Sequence, residues 1–373
     1  MNNTNLENYE KDIVDKFPNK ITKVYQNNGE LHLNVELNDM PKICDYVYKN
    51  WNARLATIIC SDERKNIGGF AIRYVFEKDG SFIFIIVSTG QSQSFPSIAL
   101  HIPAAALYER EIKDMFGLIP AGNPDERPLV LHEHWTDGIF PLRKEFELGT
   151  KVKRQEKEYQ FLKVQGEGIC EIPVGPVHAG IIEPGHFRFS ILGENIINLE
   201  TRLFYTHKGM EKLAESMRLD EVLLLSERIA GDESVANSSA FCQAIEKIAQ
   251  VKIPNRAKKI RTIFAELERI YNHVGTLAGI STDASFPFGA ARLNILKERL
   301  MRLNESLSGS RILFGVNRIG GVRCDITDEN KKLILETLSE ISDDFGKIIL
   351  LLKSKSSFMD RLRGTGTIPK KIA

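Results

Sequence analysis

In the last third of the chain, three runs of apolar residues recur at steps of three and four, and they constrain the fold more than any other feature. Ile260, Ile263, Phe264, Leu267, Ile270, Tyr271 and Val274 make the first, after Pro254. Leu293, Leu296, Leu300, Leu303 and Leu307 make the second, and Ile334, Leu338, Ile341, Phe345, Ile348 and Leu352 the third. Residues at these spacings share one face of an α-helix. Each run is short for a coiled-coil seam, so the pattern predicts helices packed as a bundle. Between the second and third lies the segment Gly315 to Arg323, whose glycines predict a tight loop with close backbone approach.

Upstream the period changes. Leu31, Leu33, Val35 and Leu37 alternate with polar residues, as do Phe70, Ile72, Tyr74 and Phe76, which predicts half-buried strands. Phe82 to Val87 is continuously apolar and fits an interior strand, with Asp79-Gly80 as a hairpin turn before it. Residues 103–117 read as a helix between Pro103 and Gly117. The segment from Pro120 to Pro141 has no clear period. Further on, Phe187, Phe189 and Ile191, then Ile197, Leu199, Thr201 and Leu203, predict two strands joined at Gly193-Glu194. The class is therefore α+β: a mixed α/β domain over 1–150, a charged linker over 151–164, and a mainly helical domain with a small β-region over 165–373.

Composition sets limits on function. With 42% hydrophobic and 27% charged residues in 373, the chain can bury a real core. A net charge of +1 provides no field for nucleic acid. Cys44, Cys60, Cys170, Cys242 and Cys324 are scattered, without metal-ligand spacing or a disulfide framework, so a reducing, cytoplasmic setting is expected. The N-terminus has no signal-peptide pattern, and Ile348 to Leu352 is too short to span a bilayer. Any membrane role must then run through partner subunits.

Residues 228–237 read Arg-Ile-Ala-Gly-Asp-Glu-Ser-Val-Ala-Asn. In register and without gaps, this stretch resembles the first metal-binding motif of nickel–iron hydrogenase large subunits, Arg-x-Cys-Gly-x-Cys-x-x-x-His. Arg228 and Gly231 stand where that pattern wants them. Ala230 and Glu233 occupy the cysteine positions, and Asn237 replaces the histidine. Without either thiolate, a soft-metal site here is unavailable to this chain. Glu227, Arg228, Asp232 and Glu233 make the remnant strongly charged, and Arg228 is expected to pair with an acid there.

Two longer resemblances surround this motif. Tyr108 to Gly117, then Pro124-Asp125-Glu126-Arg127-Pro128-Leu129 and Pro141-Leu142-Arg143-Lys144, resemble the signature of the 30-kilodalton-type subunit of respiratory complex I. As helix neighbours, Glu109, Arg110, Glu111 and Lys113 are placed to form ion pairs among themselves. The resemblance implies that Glu109, Arg110, Glu111, Asp114, Arg127 and Arg143 serve docking to a neighbouring subunit rather than catalysis. The second half resembles the 49-kilodalton-type subunit and, more closely, the large subunit of membrane-bound energy-converting hydrogenases of the formate hydrogenlyase type. Gly175 to His178, Ile182 to Phe189, Thr206 to Lys212, Pro254 to Ala257 and Phe314 to Arg323 carry it. A fusion of the two halves is typical of that branch.

The resemblance implies roles residue by residue. Glu211 falls where the family has a proton-relaying glutamate, with Lys208 in place of its arginine; the competing reading is a carboxylate paired with Lys208 or Lys212. Glu183 and His186 match another family position, where a hard-cation site would be incomplete without the C-terminal partner ligands; the competing reading is a simple hydrogen-bonded pair. His178 matches a loop lining the quinone headgroup cavity of complex I relatives. No Cys-x-x-Cys occurs up to Ala373, so the region carrying the second cysteine pair is expected to be missing. Taken together, the resemblance implies a peripheral-arm subunit of the NADH:quinone oxidoreductase and hydrogenase class, at the inner face of the cytoplasmic membrane. It would bind no cofactor of its own, nickel–iron being confined to relatives and iron–sulfur clusters to a small partner subunit. Antiporter-like membrane subunits would be further partners, and electrons would pass to an acceptor such as a quinone. The alternative is a non-catalytic structural or regulatory paralogue.

Overall fold

A computed structural model describes residues 3–27, 29–176 and 182–369. The chain divides into two compact units: Met1–His178 with Glu183–Lys208, and Ala179–Ile182 with Gly209–Ala373.

The first unit opens with helix α1 (Asn3–Lys16), strands β1 (Ile21–Asn27) and β2 (Glu30–Val35), helix α2 (Met40–Asn50) and strand β3 (Arg54–Asp62). After the short α3 (Arg64–Ile67) come β4 (Phe70–Lys78) and β5 (Ser81–Ser88). These strands form a five-stranded sheet in the order β1-β2-β5-β4-β3. All neighbours are antiparallel except β2 and β5, which pair in parallel with Leu31 opposite Ile83. The β4–β5 hairpin turns at Asp79 and Gly80, both with positive φ (50° and 76°), as a two-residue turn matching strand twist requires.

β5 is interior in the sheet, as its apolar run predicts, yet its burial alternates: Ile83, Ile85 and Val87 are buried and Phe82 is exposed. The physical reason is that the helices pack against one face. Leu31, Leu33, Ile72, Phe76 and Ile83 share a core with Ile13 of α1, Ile43 and Val47 of α2, and Ile112 and Met115 further on. On the other face, Tyr25, His32 and Phe84 stack at centroid spacings of 4.6 Å.

The small strand β6 (Ser94–Pro96) precedes helix α4 (Ala105–Phe116), and β7 (Ile119–Ala121) pairs with β6. α4 stops at Gly117, whose φ of 72° is left-handed and whose N–H caps the Lys113 carbonyl. After β7 an irregular strap, residues 122–150, crosses α4, where the N–H groups of Leu129, Val130 and Leu131 meet Asp114. The charged segment 151–164 has no helix or strand, but Gln155 N–H donates to the His134 carbonyl (3.0 Å). The unit ends with a three-stranded antiparallel sheet of β8 (Ile169–Val174), β9 (His186–Leu192) and β10 (Asn195–Arg202).

The second unit is helical, as its apolar stripes predict. It contains α5 (Met210–Ala214), α6 (Leu219–Ser226), α7 (Ser234–Ile248), α8 (Asn255–Asp283) and α9 (Pro287–Ser308). The hairpin β11 (Asn317–Arg318) and β12 (Gly321–Val322) fills the glycine loop before α10 (Asp328–Ser354) and α11 (Ser356–Leu362). Leu293, Leu296 and Leu300 of α9 pack with Tyr271 and Val274 of α8 and with Ile341 and Ile348 of α10. A neighbouring cluster joins Val235, Phe264, Leu303 and Val316. Of the first stripe, Ile263 is exposed rather than buried. Among the described residues no helix is long and apolar enough to cross a membrane.

Candidate functional site

The motif loop at 228–237 joins the end of α6 to the start of α7. Buried polar side chains from distant segments hold it. Glu268 of α8 accepts the Val235 and Ala236 N–H groups (2.6 and 2.9 Å), so a carboxylate from another helix caps α7. A negative charge there also faces the positive end of the helix dipole, an interaction of about 0.3–2 kcal/mol. Tyr271 Oη and Asn272 Nδ2 both donate to the Asp232 carbonyl. Ser234 Oγ donates to the Ile312 carbonyl (2.5 Å). Glu227, also buried, accepts the Gly315 N–H (2.6 Å) and ties the loop to the glycine segment.

That segment is pinned in turn by a buried ion pair. Arg261 reaches both oxygens of Glu246 (3.0 and 2.7 Å) and donates to the carbonyls of Arg318 and Gly321. Gly320 N–H completes the arrangement on Glu246 (2.6 Å). Asn317 Nδ2 lies within 2.8 Å of Ser238 Oγ and 2.9 Å of Ser239 Oγ on α7. Burial pushes the carboxyls of Glu227 and Glu268 above their ordinary range. For Glu246 burial is the largest single influence and pushes upward, but the Arg261 hydrogen bonds, the Gly320 N–H and the Arg261 charge together outweigh it and hold the carboxyl below that range.

The expected pairing of Arg228 with an acid is only loosely met. Its guanidinium is 53% exposed, 3.8 Å from the neighbouring Glu227. It donates to the Leu224 carbonyl and lies 5.0 Å from the Phe314 ring centroid. Gly231, Asp232 and Glu233 are all exposed, so the remnant is not a buried charged pocket. The reason is topological: the loop's anchors are carboxylates on α8 and at the end of α6, not the charges within the motif.

The donor set at these positions does not fit a nickel–iron group. Ala230 offers a methyl, and Asn237 Nδ2 donates to the Glu233 carbonyl (2.9 Å). Cys242 on α7 is buried, and burial pushes its thiol up to about 11, so it stays protonated at neutral pH. Among the described residues no three His, Cys, Asp or Glu side chains converge to hold a metal.

The other predicted residues are dispersed. Glu211 is exposed on α5, and Lys212, one of its two expected partners, pairs with Glu215 (2.9 Å). Glu183 and His186 take separate partners: Glu183 accepts from Thr206 Oγ1 (2.5 Å), and His186 Nε2 lies 3.3 Å from Arg188 Nε beside the Phe161 ring. His178 lies outside the described residues.

The residues expected to serve docking mostly turn inward on α4 and the strap. Glu109 is 0% exposed and accepts from Ser97 Oγ, Ile98 N–H and Asn123 Nδ2 (2.5, 2.8 and 2.8 Å). Arg110 pairs with Asp125 (3.0 Å) and donates to the carbonyls of Arg127 and Pro128. Asp114 accepts three successive N–H groups, from Leu129, Val130 and Leu131 (2.8, 2.8 and 3.1 Å). Arg143 Nε donates to the Phe116 carbonyl (2.7 Å), and Glu111 is half-buried. Bonds to Ser97 and Ile98 before α4 and to Asn123 after it therefore take the place of helix-neighbour ion pairs for Glu109, and bonds to Asp125, Arg127 and Pro128 for Arg110. Arg127 pairs with Asp125 and, across the unit, with Glu200 of β10. Arg202 donates to the carbonyls of Pro128 and Leu129 and pairs with Glu133 (3.1 Å). Tyr159 lies beneath both guanidiniums, 5.3 Å from Arg127 and 4.5 Å from Arg202. Sequence reading missed Glu200, Arg202, Glu246, Arg261 and Glu268. Arg261 and Glu268 had a signal, since both interrupt the buried stripe of α8.

Comparison with known proteins agrees with both halves. Residues 33–152 match the family of the respiratory-chain NADH dehydrogenase 30 Kd subunit, and residues 292–373 that of the 49 Kd subunit. Hydrogenase-4 component G of Escherichia coli (strain K12) is 35% identical, over 92% of this chain and 63% of that protein. Formate hydrogenlyase subunit 5 of the same organism is 33% identical, over 98% and 66%. Among solved structures, the membrane-bound sulfane sulfur reductase, an archaeal respiratory membrane complex, contains a chain with TM-score 0.52 and 25% identity, covering 56% of each chain. The chain spans 63–66% of the length of the two Escherichia coli relatives. Both family regions lie on one polypeptide, and along nearly its whole length the chain is similar to hydrogenase-4 component G and formate hydrogenlyase subunit 5, as fits a fused complex I 30-kilodalton- and 49-kilodalton-type subunit.

Proposed function

We propose that the chain is a peripheral-arm subunit of a membrane-associated, complex I-like or energy-converting hydrogenase-like oxidoreductase, and that it holds no nickel–iron centre at its first motif. The carrying observation is the pairing of similarity to the two Escherichia coli relatives with Ala230 and Glu233 at the two cysteine positions. A dinuclear centre needs bridging thiolates, and a methyl and an exposed carboxylate supply none. The loop instead draws its order from Glu227, Glu268, Tyr271 and Asn272. In this reading the chain scaffolds electron transfer from a small iron–sulfur subunit toward an acceptor such as a quinone, with antiporter-like subunits in the membrane. Glu211 and His178 are the positions at which to seek proton or quinone contact.

The test is purification of the chain from its host under mild conditions, with metal analysis of each subunit recovered. The expected result is an iron–sulfur protein co-purifying and nickel well below stoichiometric in this chain. Tightly bound stoichiometric nickel, or hydrogen turnover traced to the isolated chain, overturns the metal-free reading. Repeated recovery without any iron–sulfur protein overturns the subunit reading and favours a free-standing regulatory paralogue.

A further inference from the structure

A cleft of about 700 Å³ opens in the first unit between α4, the strap and residues 155–160. Its apolar walls include Ile119, Leu131, Trp135, Ile139, Phe140 and Tyr159, and Ile119 is 50% exposed at its edge. The cations on its lining are engaged. Lys113 Nζ donates to the Glu126 carbonyl (2.7 Å), Arg127 is held by Asp125 and Glu200, and Lys157 by Asp137. The carboxylates are more numerous, and not all are engaged. Asp114 is committed to backbone N–H groups, Glu133 to Arg202 and Asp137 to Lys157. Glu126 and Glu158 are exposed, and neither carboxylate has a hydrogen-bond or ion-pair partner among the described residues.

Apolar walls with two uncommitted carboxylates fit a charged head on an apolar stem. An anion would be repelled, and a wholly apolar group would strip water from Glu126 and Glu158 without replacing it. We propose that this cleft receives an arginine or lysine side chain of a partner polypeptide, its stem against the aromatic wall and its cation answered by Glu126 and Glu158. The proposal rests on the reading of the chain as a subunit of a larger assembly.

The full chain is titrated with a fluorescein-labelled peptide Gly-Leu-Arg-Leu-Gly, with the same peptide carrying Glu for Arg, and with unlabelled arginine amide as competitor. Anisotropy should rise with the Arg peptide and not with the Glu peptide. The Glu126→Lys/Glu158→Lys double variant should weaken binding about tenfold or more. Both side chains are exposed, so circular dichroism should stay unchanged. Absence of Arg-peptide binding, equal binding of the Glu peptide, or unchanged affinity of the double variant overturns the proposal. Arginine amide competing as strongly as the peptide assigns the cleft to a free small cation and also overturns it. No partner subunit is needed, so a negative result here leaves the subunit reading to its own co-purification test.

Discussion

Arg261 and Glu246 form a two-pronged ion pair between α8 and α7, and the same two side chains hold the backbone of the 318–321 hairpin. The hairpin turns back over the helices because its free carbonyls and N–H find a charged partner on each. Arg261→Met removes the cation and leaves a buried carboxylate without its counter-charge. Its expected cost is about 3–5 kcal/mol in urea unfolding of the full chain. The Arg261→Met/Glu246→Leu double variant should recover part of that loss, because the unpaired charge is gone. Strict additivity of the two single changes would refute the coupling.

Glu268 gives a pH signature. Burial raises its carboxyl above the ordinary 4.5, with Glu233 adding to the rise and the Val235 and Ala236 N–H groups lowering it. A raised acid binds its proton more readily folded than unfolded. Between the unfolded and folded pKa values the native state therefore holds more protons, and stability falls as pH rises. The destabilising contribution is absent below about 4.5 and fully developed above the folded pKa. Glu268→Gln cannot ionise. The stability of the native protein minus that of this variant should thus decline as pH rises from about 4.5 toward neutrality. A difference that stays flat or climbs over that window contradicts the burial argument.

How much of the fold the sequence discloses depends on how burial writes itself into a chain. The stripes of α8, α9 and α10 were legible because one face of each is apolar and buried, with Leu293 to Leu307 the clearest case. α7 was not, because Ser234, Ser238 and Cys242 occupy its buried face and leave no apolar period. α1 was missed for a related reason: among the residues of α1 whose burial is described, its buried anchors are Leu6 and Ile13. The 228–237 motif was visible as a string of residue types, but its anchors lie elsewhere. Glu268 is 33 residues from Val235, and Gly315 is 88 from Glu227. Local spacing suggested that Glu109 and Arg110 would pair with helix neighbours. Segments on either side of α4 supply the partners instead, Ser97, Ile98 and Asn123 for Glu109 and Asp125 for Arg110, and a buried charge takes the partners that replace its lost water.

Asp114 tests how the strap is fixed. Its carboxylate collects three consecutive backbone N–H groups from 129–131, and the same segment gives a carbonyl to Arg202. Asp114→Ala leaves those donors without their charged acceptor. A loss of about 1.5–3 kcal/mol is expected in urea unfolding. Hydrogen exchange should accelerate at 129–131 before it does in β4 or β5. Uniform acceleration across the whole unit would show that the strap has no separate stability.

Gly117 makes the sharpest packing demand. It ends α4 with a left-handed φ of 72°, and a Cβ at this position would fall 2.4 Å from the Phe140 ring. Two penalties then combine for Gly117→Ala: strain of a side chain at positive φ and intrusion into an aromatic ring held by the strap. The first is about 1 kcal/mol and the second about 1–3 kcal/mol. They can be separated. Phe140→Leu in the same background should relieve the steric part and leave the conformational one, so the double variant should be more stable than the two single losses summed. Because Phe140 also lies 4.4 Å from the Arg143 guanidinium, Phe140→Leu alone should carry a small loss of its own. A Gly117→Ala variant as stable as the native chain would mean that the strap carries Phe140 away from α4, and the cleft it walls would then have a different shape.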